Sequence, residues 1–337
     1  MINFTTGPVN IEKQVAVALS ERPIPHRSED FKRLYIDFSL FICKQFKVKR
    51  LAILQGSGSL ANEAMIWQIK SRGGKGLILA NGEFGHRLIR HSENAKLDFC
   101  SYSIPWGEEF DLLEIEQKIK MDPIDWVLFA HCETSTGVLN PLKQIARISE
   151  TFEVDTYVDC MSSVGVNQLD LSNITMASCS SSKGLGSIPG IGMVLSNVNF
   201  IKAEHVPLYY DLSKYNKGRF PYSLSSNLIN ALHISAERVL NKEVWEQKNE
   251  QAKLIYNGLK ATGVLPFAKA DSKVFTIVQE QKKAMKLGQA LLNSKIEVSY
   301  LSEYLLNRNW IQLTLFGKHT DAEINSAVQG LRNYLIE

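Results

Sequence analysis

The chain has 337 residues, 45% of them hydrophobic and 22% charged, which is enough apolar material for a large core and too much for a disordered protein. Lys plus Arg exceed Asp plus Glu by 38 − 35 = 3 without any long basic block, so no nucleic-acid partner is expected. Five scattered cysteines without a C-x-x-C pair argue against a disulfide framework or a zinc site and fit a reducing, cytoplasmic setting. The start MINFTTGPVNIEKQ lacks a basic-then-apolar leader, and no apolar run nears the roughly 18 residues of a membrane span. A soluble, unexported protein without membrane contact is expected.

From Arg50 onward, short apolar runs alternate with amphipathic stretches: LAILQ, ANEAMIWQIKS, GLILAN, HRLIRHSENA. LDFCSY, IDWVLFAH, DTYVD and TMASCSS continue the series as strands. PLKQIARISETFE predicts a helix just after Pro141 that buries Leu142, Ile145, Ala146 and Ile148. Strands alternating with helices predict an α/β fold around a mostly parallel sheet covered on both faces. The rhythm breaks in LYYDLSKYNKGRFPYSLSS, and a long helical pattern follows from Asn227 to about Ala261. A boundary there gives a large domain over 1–226 and a smaller α+β domain over 227–337, with strands KVFTIVQ, EVSY and WIQLTL and a last helix AEINSAVQGLRNYLI.

Five segments gather chemistry at strand ends. Gln55-Gly56-Ser57-Gly58-Ser59 offers backbone N–H groups and hydroxyls at a helix start, where a phosphate is favoured. Gly56-x-Gly58-x-x-Ala61 also meets the loose dinucleotide fingerprint of a nicotinamide dehydrogenase, but the acidic ribose anchor is missing because the next strand ends at Asn81. A plain glycine turn is the simpler alternative. In Asn81-Gly82-Glu83-Phe84-Gly85-His86-Arg87 an aromatic between glycines can lie against a planar ligand, or Phe84 is a core residue. Thr134 to Thr136, after WVLFA, exceed what capping the next helix requires. Asp159 closes a strand and needs a cation or hydrogen-bond donors, which a structural salt bridge would also supply. Lys183, in SSSKGLGSIPG, is either a desolvated amine suited to a Schiff base or a surface charge.

Taken together, GSGSLANEA, NGEFGHR, HCETSTGVLNPL, VDCMSSVG and SSSKGLGSIPG resemble the class V aminotransferases among the fold type I pyridoxal-phosphate (PLP) enzymes. Their wording is most similar to 2-aminoethylphosphonate–pyruvate and alanine–glyoxylate aminotransferases. TTGPV, PHRSEDF and YYDL…PYS extend the likeness over most of the chain. The resemblance implies PLP as cofactor and amino transfer between an amino donor and a 2-oxo acid or aldehyde. It implies that Lys183 carries PLP through a Schiff base and moves the α-proton, and that Asp159 keeps the pyridine nitrogen protonated. It further implies Phe84 and Met161 against the ring faces, Ser57, Gly58 and Ser59 at the phosphate, Thr134 at the ring hydroxyl and Ser182 beside the lysine. Ser223 stands where relatives reach a neighbouring subunit's phosphate, so a homodimer with shared sites is expected.

One position departs from the pattern. Where the family has a carboxylate-binding arginine, Ile311-Gln312-Leu313 places Gln312, expected to contact substrate; either Arg27, Lys318 or Arg219 substitutes as the cation, or, the favoured reading, the donor carries its amine on a carbon without a carboxylate. A decarboxylase or lyase on the same fold, or a non-catalytic family member, is the alternative, although intact Lys183 and Asp159 argue against the latter.

Overall fold

Central strands buried on both faces read as unbroken apolar or small-residue runs, and such segments, with the polar and largely exposed DFCSYS at one edge, build one seven-stranded sheet. They are β1 (Arg50–Gly56), β2 (Lys75–Ala80), β3 (Asp98–Ser103), β4 (Trp126–Ala130), β5 (Asp155–Asp159), β6 (Met176–Ser180) and β7 (Gly190–Ser196). The computed structural model describes residues 1–335 other than 203, 205, 265, 270 and 279–283. Gln279 and Ile336, the last residues of two expected elements, lie outside the described residues.

The strand order is β1-β7-β6-β5-β4-β2-β3. Pairings among β2 to β6 are parallel, whereas β7 runs antiparallel to both β1 and β6. β7 was not among the expected strands, because two glycines weaken GIGMVLS as a strand pattern. Gly192 has a packing reason: a Cβ there would lie 2.7 Å from Ser57 O at the start of helix Gly58–Arg72. Parallel β2, β4, β5 and β6 deliver their carboxyl ends to one edge, and β1 brings its own end, Gly56, to the amino end of β7. That edge is where open α/β sheets bind ligands.

One face of the sheet packs on helices Glu29–Phe46 and Leu142–Thr151. The other packs on helix Gly58–Arg72 through Ala61, Ala64, Met65 and Ile69. The helix after Pro141 buries Leu142, Ile145 and Ala146 as expected, but Ile148 is only half-buried and Ser149 takes the inward position.

A third core joins Phe4 to Ala252, Ile255, Leu259, Phe275, Leu313 and Ile324, around the antiparallel pair β8 (Val274–Val278) and β9 (Trp310–Thr314). Of EVSY only Glu297 lies in a regular strand, where Ile296–Glu297 pairs with Ile2–Asn3. The long helix expected from Asn227 is interrupted. Asn241 restarts it as an N-cap, its side chain accepting from Val244 N at 3.0 Å, to give helices Ser226–Val239 and Lys242–Ala261. The first packs Ile229, Leu232 and Ala236 into the sheet's core, and the second packs Ala252, Ile255 and Leu259 into the third core.

Among the described residues no helix is long and apolar enough to cross a membrane.

Candidate active site

Asp159 ends β5 and is buried, so its carboxylate needs donors. It receives two: Asn62 Nδ2 donates to Oδ2 at 2.8 Å, and the Met161 backbone N–H donates to Oδ1 at 2.8 Å. Asn62 is fixed in turn by the Ser178 hydroxyl, which donates to its Oδ1. Among the described residues no side-chain cation forms an ion pair with Asp159. A buried, oriented carboxylate without a cation therefore faces the cavity.

Lys183 follows β6 by three residues, on a turn that Gly184 lets pass close to the backbone: a Cβ at Gly184 would lie 2.4 Å from Val164 O. Its Nζ donates to Ser162 Oγ at 2.9 Å, and Ser162 shares a hydrogen bond with the Thr134 hydroxyl. Desolvation pushes the amine below the ordinary lysine range, with Asp159 opposing the shift. The same Nζ lies 5.2 Å from the centre of the Phe84 ring and 5.9 Å from that of Phe316.

Phe84 owes its position to Glu133. This carboxylate is fully buried and accepts from Phe84 N at 3.2 Å, Gly85 N at 2.9 Å and Ser135 Oγ at 2.5 Å. Burial raises its pKa while these bonds pull it back. It thereby ties the first turn of helix Glu83–Asn94 to the loop after β4.

A cavity of about 340 Å³ collects Gly58, Ser59, Phe84, Asp159, Met161, Ser182 and Lys183, seven of the residues singled out in the sequence. Thr134 lies buried behind Ser162 and does not line it. Ser57 is exposed, one residue before the helix, with its hydroxyl not used as a cap. Ser223 and Arg27 are exposed and outside the cavity of their own chain; Ser223 Oγ lies 3.4 Å from His26 Nε2.

Gln312 does not line this cavity. It is fully buried, and its amide nitrogen donates to Thr134 O at 2.6 Å, Ser135 O at 2.9 Å and Thr276 Oγ1 at 2.7 Å. Its Oε1 accepts from the Tyr304 hydroxyl at 2.8 Å. Both N–H donors of the amide are taken by such partners, so no donor is left for a substrate. The group that reaches the cavity is Tyr304, together with Arg87. Arg87 touches Glu83 Oε1 only at 3.5 Å, because Arg90 holds that carboxylate at 2.6 Å, and its guanidinium lies 4.7 Å from the Phe84 ring centre. Asn62, Ser162, Tyr304 and the positioning Glu133 were not singled out from sequence.

These residues fit a phosphorylated pyridine aldehyde. Asp159 suits a protonated ring nitrogen, Lys183 supplies an amine, and Phe84 supplies a ring face. Gly58 presents bare backbone at a helix start, where a Cβ would meet Met161 Sδ at 2.6 Å. Over residues 86–300 the sequence matches the family Aminotransferase class-V.

The chain belongs to the class V aminotransferases.

Curated relatives of this class V aminotransferase include a 2-aminoethylphosphonate–pyruvate transaminase of Lysinibacillus sphaericus, 34% identical over 44% of this chain and 42% of that protein's own length. An uncharacterized aminotransferase of Methanocaldococcus jannaschii is 28% identical over 80% of this chain and 75% of the relative. Among solved structures, pyridoxamine–pyruvate aminotransferase from Mesorhizobium loti superposes with a TM-score of 0.90 at 21% identity, covering 99% of this chain and 91% of the other. The Thermus thermophilus aspartate aminotransferase of subgroup IV gives 0.88 at 22%, covering 99% of both chains. The class V chain therefore has the fold type I architecture.

Proposed function

We propose that this chain is a PLP-dependent aminotransferase that moves an amino group between an amino donor and a 2-oxo acid or aldehyde, with Lys183 as the cofactor-binding and proton-moving residue. The observation that carries this reading is the pair Lys183 and Asp159, an amine and an unpaired carboxylate lining one cavity beside an aromatic face. PLP bound there supplies a carbonyl to receive the amino group and a ring that withdraws electrons from the substrate's α-carbon.

The chain's own residues do the rest. Lys183 Nζ, desolvated and therefore readily uncharged, can take a proton from substrate and return it, and Ser162 Oγ orients it. Asp159, held by Asn62 and Met161 N, would favour a proton on the ring nitrogen. Gly58 and Ser59 receive the phosphate at the start of helix Gly58–Arg72, with Ser57 beside them. Arg87 and Tyr304 face the substrate, and the loosely engaged guanidinium of Arg87 suits its acid group.

A homodimer belongs to the same reading, since Ser223 and Arg27 are exposed and free to complete a neighbour's site. A cytoplasmic location accords with five unbridged cysteines.

Donor turnover tests the reaction type. Holoenzyme mixed with donor alone should release about one equivalent of oxo product per subunit and resume only when a 2-oxo acid is added, as a ping-pong mechanism requires. Steady release of carbon dioxide or of a cleaved side chain without an acceptor would instead establish a decarboxylase or lyase.

A further inference from the structure

A second cavity, of about 280 Å³, opens between helix Lys242–Ala261 and the turn that follows β9, and it shares no lining residue with the cavity around Lys183. Phe316 forms part of its wall, and on the other side the same ring stands 5.9 Å from Lys183 Nζ. Two side chains in it are buried and incompletely matched.

Lys248 is 5% exposed, and its Nζ donates to Leu315 O at 2.6 Å and Gly317 O at 2.7 Å. An ammonium has three donors, so one is left over, and among the described residues Lys248 forms no ion pair. His319 is 6% exposed and stacks on Phe4 with ring centroids 4.1 Å apart. Its Nε2 is buried without a hydrogen-bond partner among the described residues. Arg238 and Lys318 also line the cavity and share the carboxylate of Glu12, Lys318 at 3.6 Å, so with Lys248 the lining holds three cationic side chains and one acidic one.

Both buried groups show the cost of charge taken out of water. Desolvation pushes Lys248 down to about 7, with Lys273 adding repulsion, and pushes His319 down to about 4, with Lys248 adding repulsion and Glu323 only partly opposing it. A single bridging water takes up about 30 Å³, far less than this cavity offers. The third donor of Lys248, the unpartnered His319 Nε2, the excess of positive charge and the available space all ask for the same kind of occupant.

We propose that this cavity binds a small oxyanion, a carboxylate or phosphate group, with Lys248 Nζ and His319 Nε2 as its two buried ligands. Arg238 and Lys318 at the rim draw the anion in, and the buried pair fixes its oxygens. The site does not depend on the amino-transfer reading, because none of its residues lines the catalytic cavity.

Titration calorimetry of the holoenzyme with sodium phosphate and, separately, sodium acetate, in chloride buffer of matched ionic strength, tests the assignment. One saturable site is expected with at least one probe, and the tighter probe names the anion class. Loss of a charged hydrogen bond should weaken binding about tenfold or more in Lys248→Met and in His319→Phe, the latter keeping the stack on Phe4. Cofactor absorbance should be unchanged in both. Should Lys248→Met not fold, His319→Phe decides alone. Absence of saturable binding by either probe in the wild type, or unchanged affinity in His319→Phe, overturns the proposal.

Discussion

Tyr304 donates its hydroxyl to Gln312 Oε1 at 2.8 Å, and the amide of the same glutamine ties down Thr134 O and Ser135 O. A cavity-lining tyrosine is thus fastened to the loop after β4 through one buried side chain. Gln312→Leu strips the buried Thr134 carbonyl of its donor and the Tyr304 hydroxyl of its acceptor, while Ser135 O keeps the Thr276 hydroxyl at 2.9 Å; the loss should cost about 1–3 kcal/mol of stability. Urea unfolding of wild type and variant measures that loss. A variant of unchanged stability whose KM for an acidic donor rises tenfold would return Gln312 to substrate contact.

Arg87 is the cation that the cavity offers besides Lys183. Arg87→Gln should raise KM for carboxylate- or phosphonate-bearing donors by about tenfold or more, with little change for amines that lack an acid group. Cofactor titration of the apoenzyme serves as the control. Weakened cofactor binding with donor KM unchanged would assign Arg87 to the cofactor instead.

Asp159→Asn keeps the size of the side chain and removes its charge. Folding should survive while kcat falls by about 100-fold or more, a size typical for loss of a preorganised electrostatic partner. Stopped-flow rates and thermal unfolding, compared side by side, check this. A large drop in unfolding temperature with turnover retained would make Asp159 a structural residue.

Lys248 also makes a prediction about pH. Its folded pKa, about 7, lies below that of an unfolded lysine near 10.4, so between these values the unfolded chain binds the extra proton. The buried lysine therefore weakens the fold at low pH, and that penalty is relieved as pH rises from about 7 toward 10. In the same buffers, wild-type stability should increase relative to Lys248→Met across that window. A constant difference between the two would show that Lys248 does not titrate there.

Much of this arrangement was legible because the chemistry is local. Phosphate turn, aromatic, aspartate and lysine each sit within a few residues of an apolar strand, and a parallel sheet brings such ends together whatever the rest of the chain does. β7 escaped notice because Gly192 exists to admit the backbone at Ser57, a contact no local pattern reports. Helix Glu29–Phe46 was also passed over, although Phe31, Tyr35, Phe38 and Ile42 repeat at helical spacing. The partners of Gln312 were hidden for a different reason. Its place in the strand was readable, but whether its amide met a substrate or two backbone carbonyls depended on a loop 178 positions away in the chain.

Borohydride reduction of the PLP-loaded enzyme, followed by peptide mass spectrometry, tests the central claim most directly. The account predicts a pyridoxyl-phosphate mass on the peptide containing Lys183, absent from Lys183→Ala. The same mass on any other lysine, or no adduct with cofactor in excess, would contradict it.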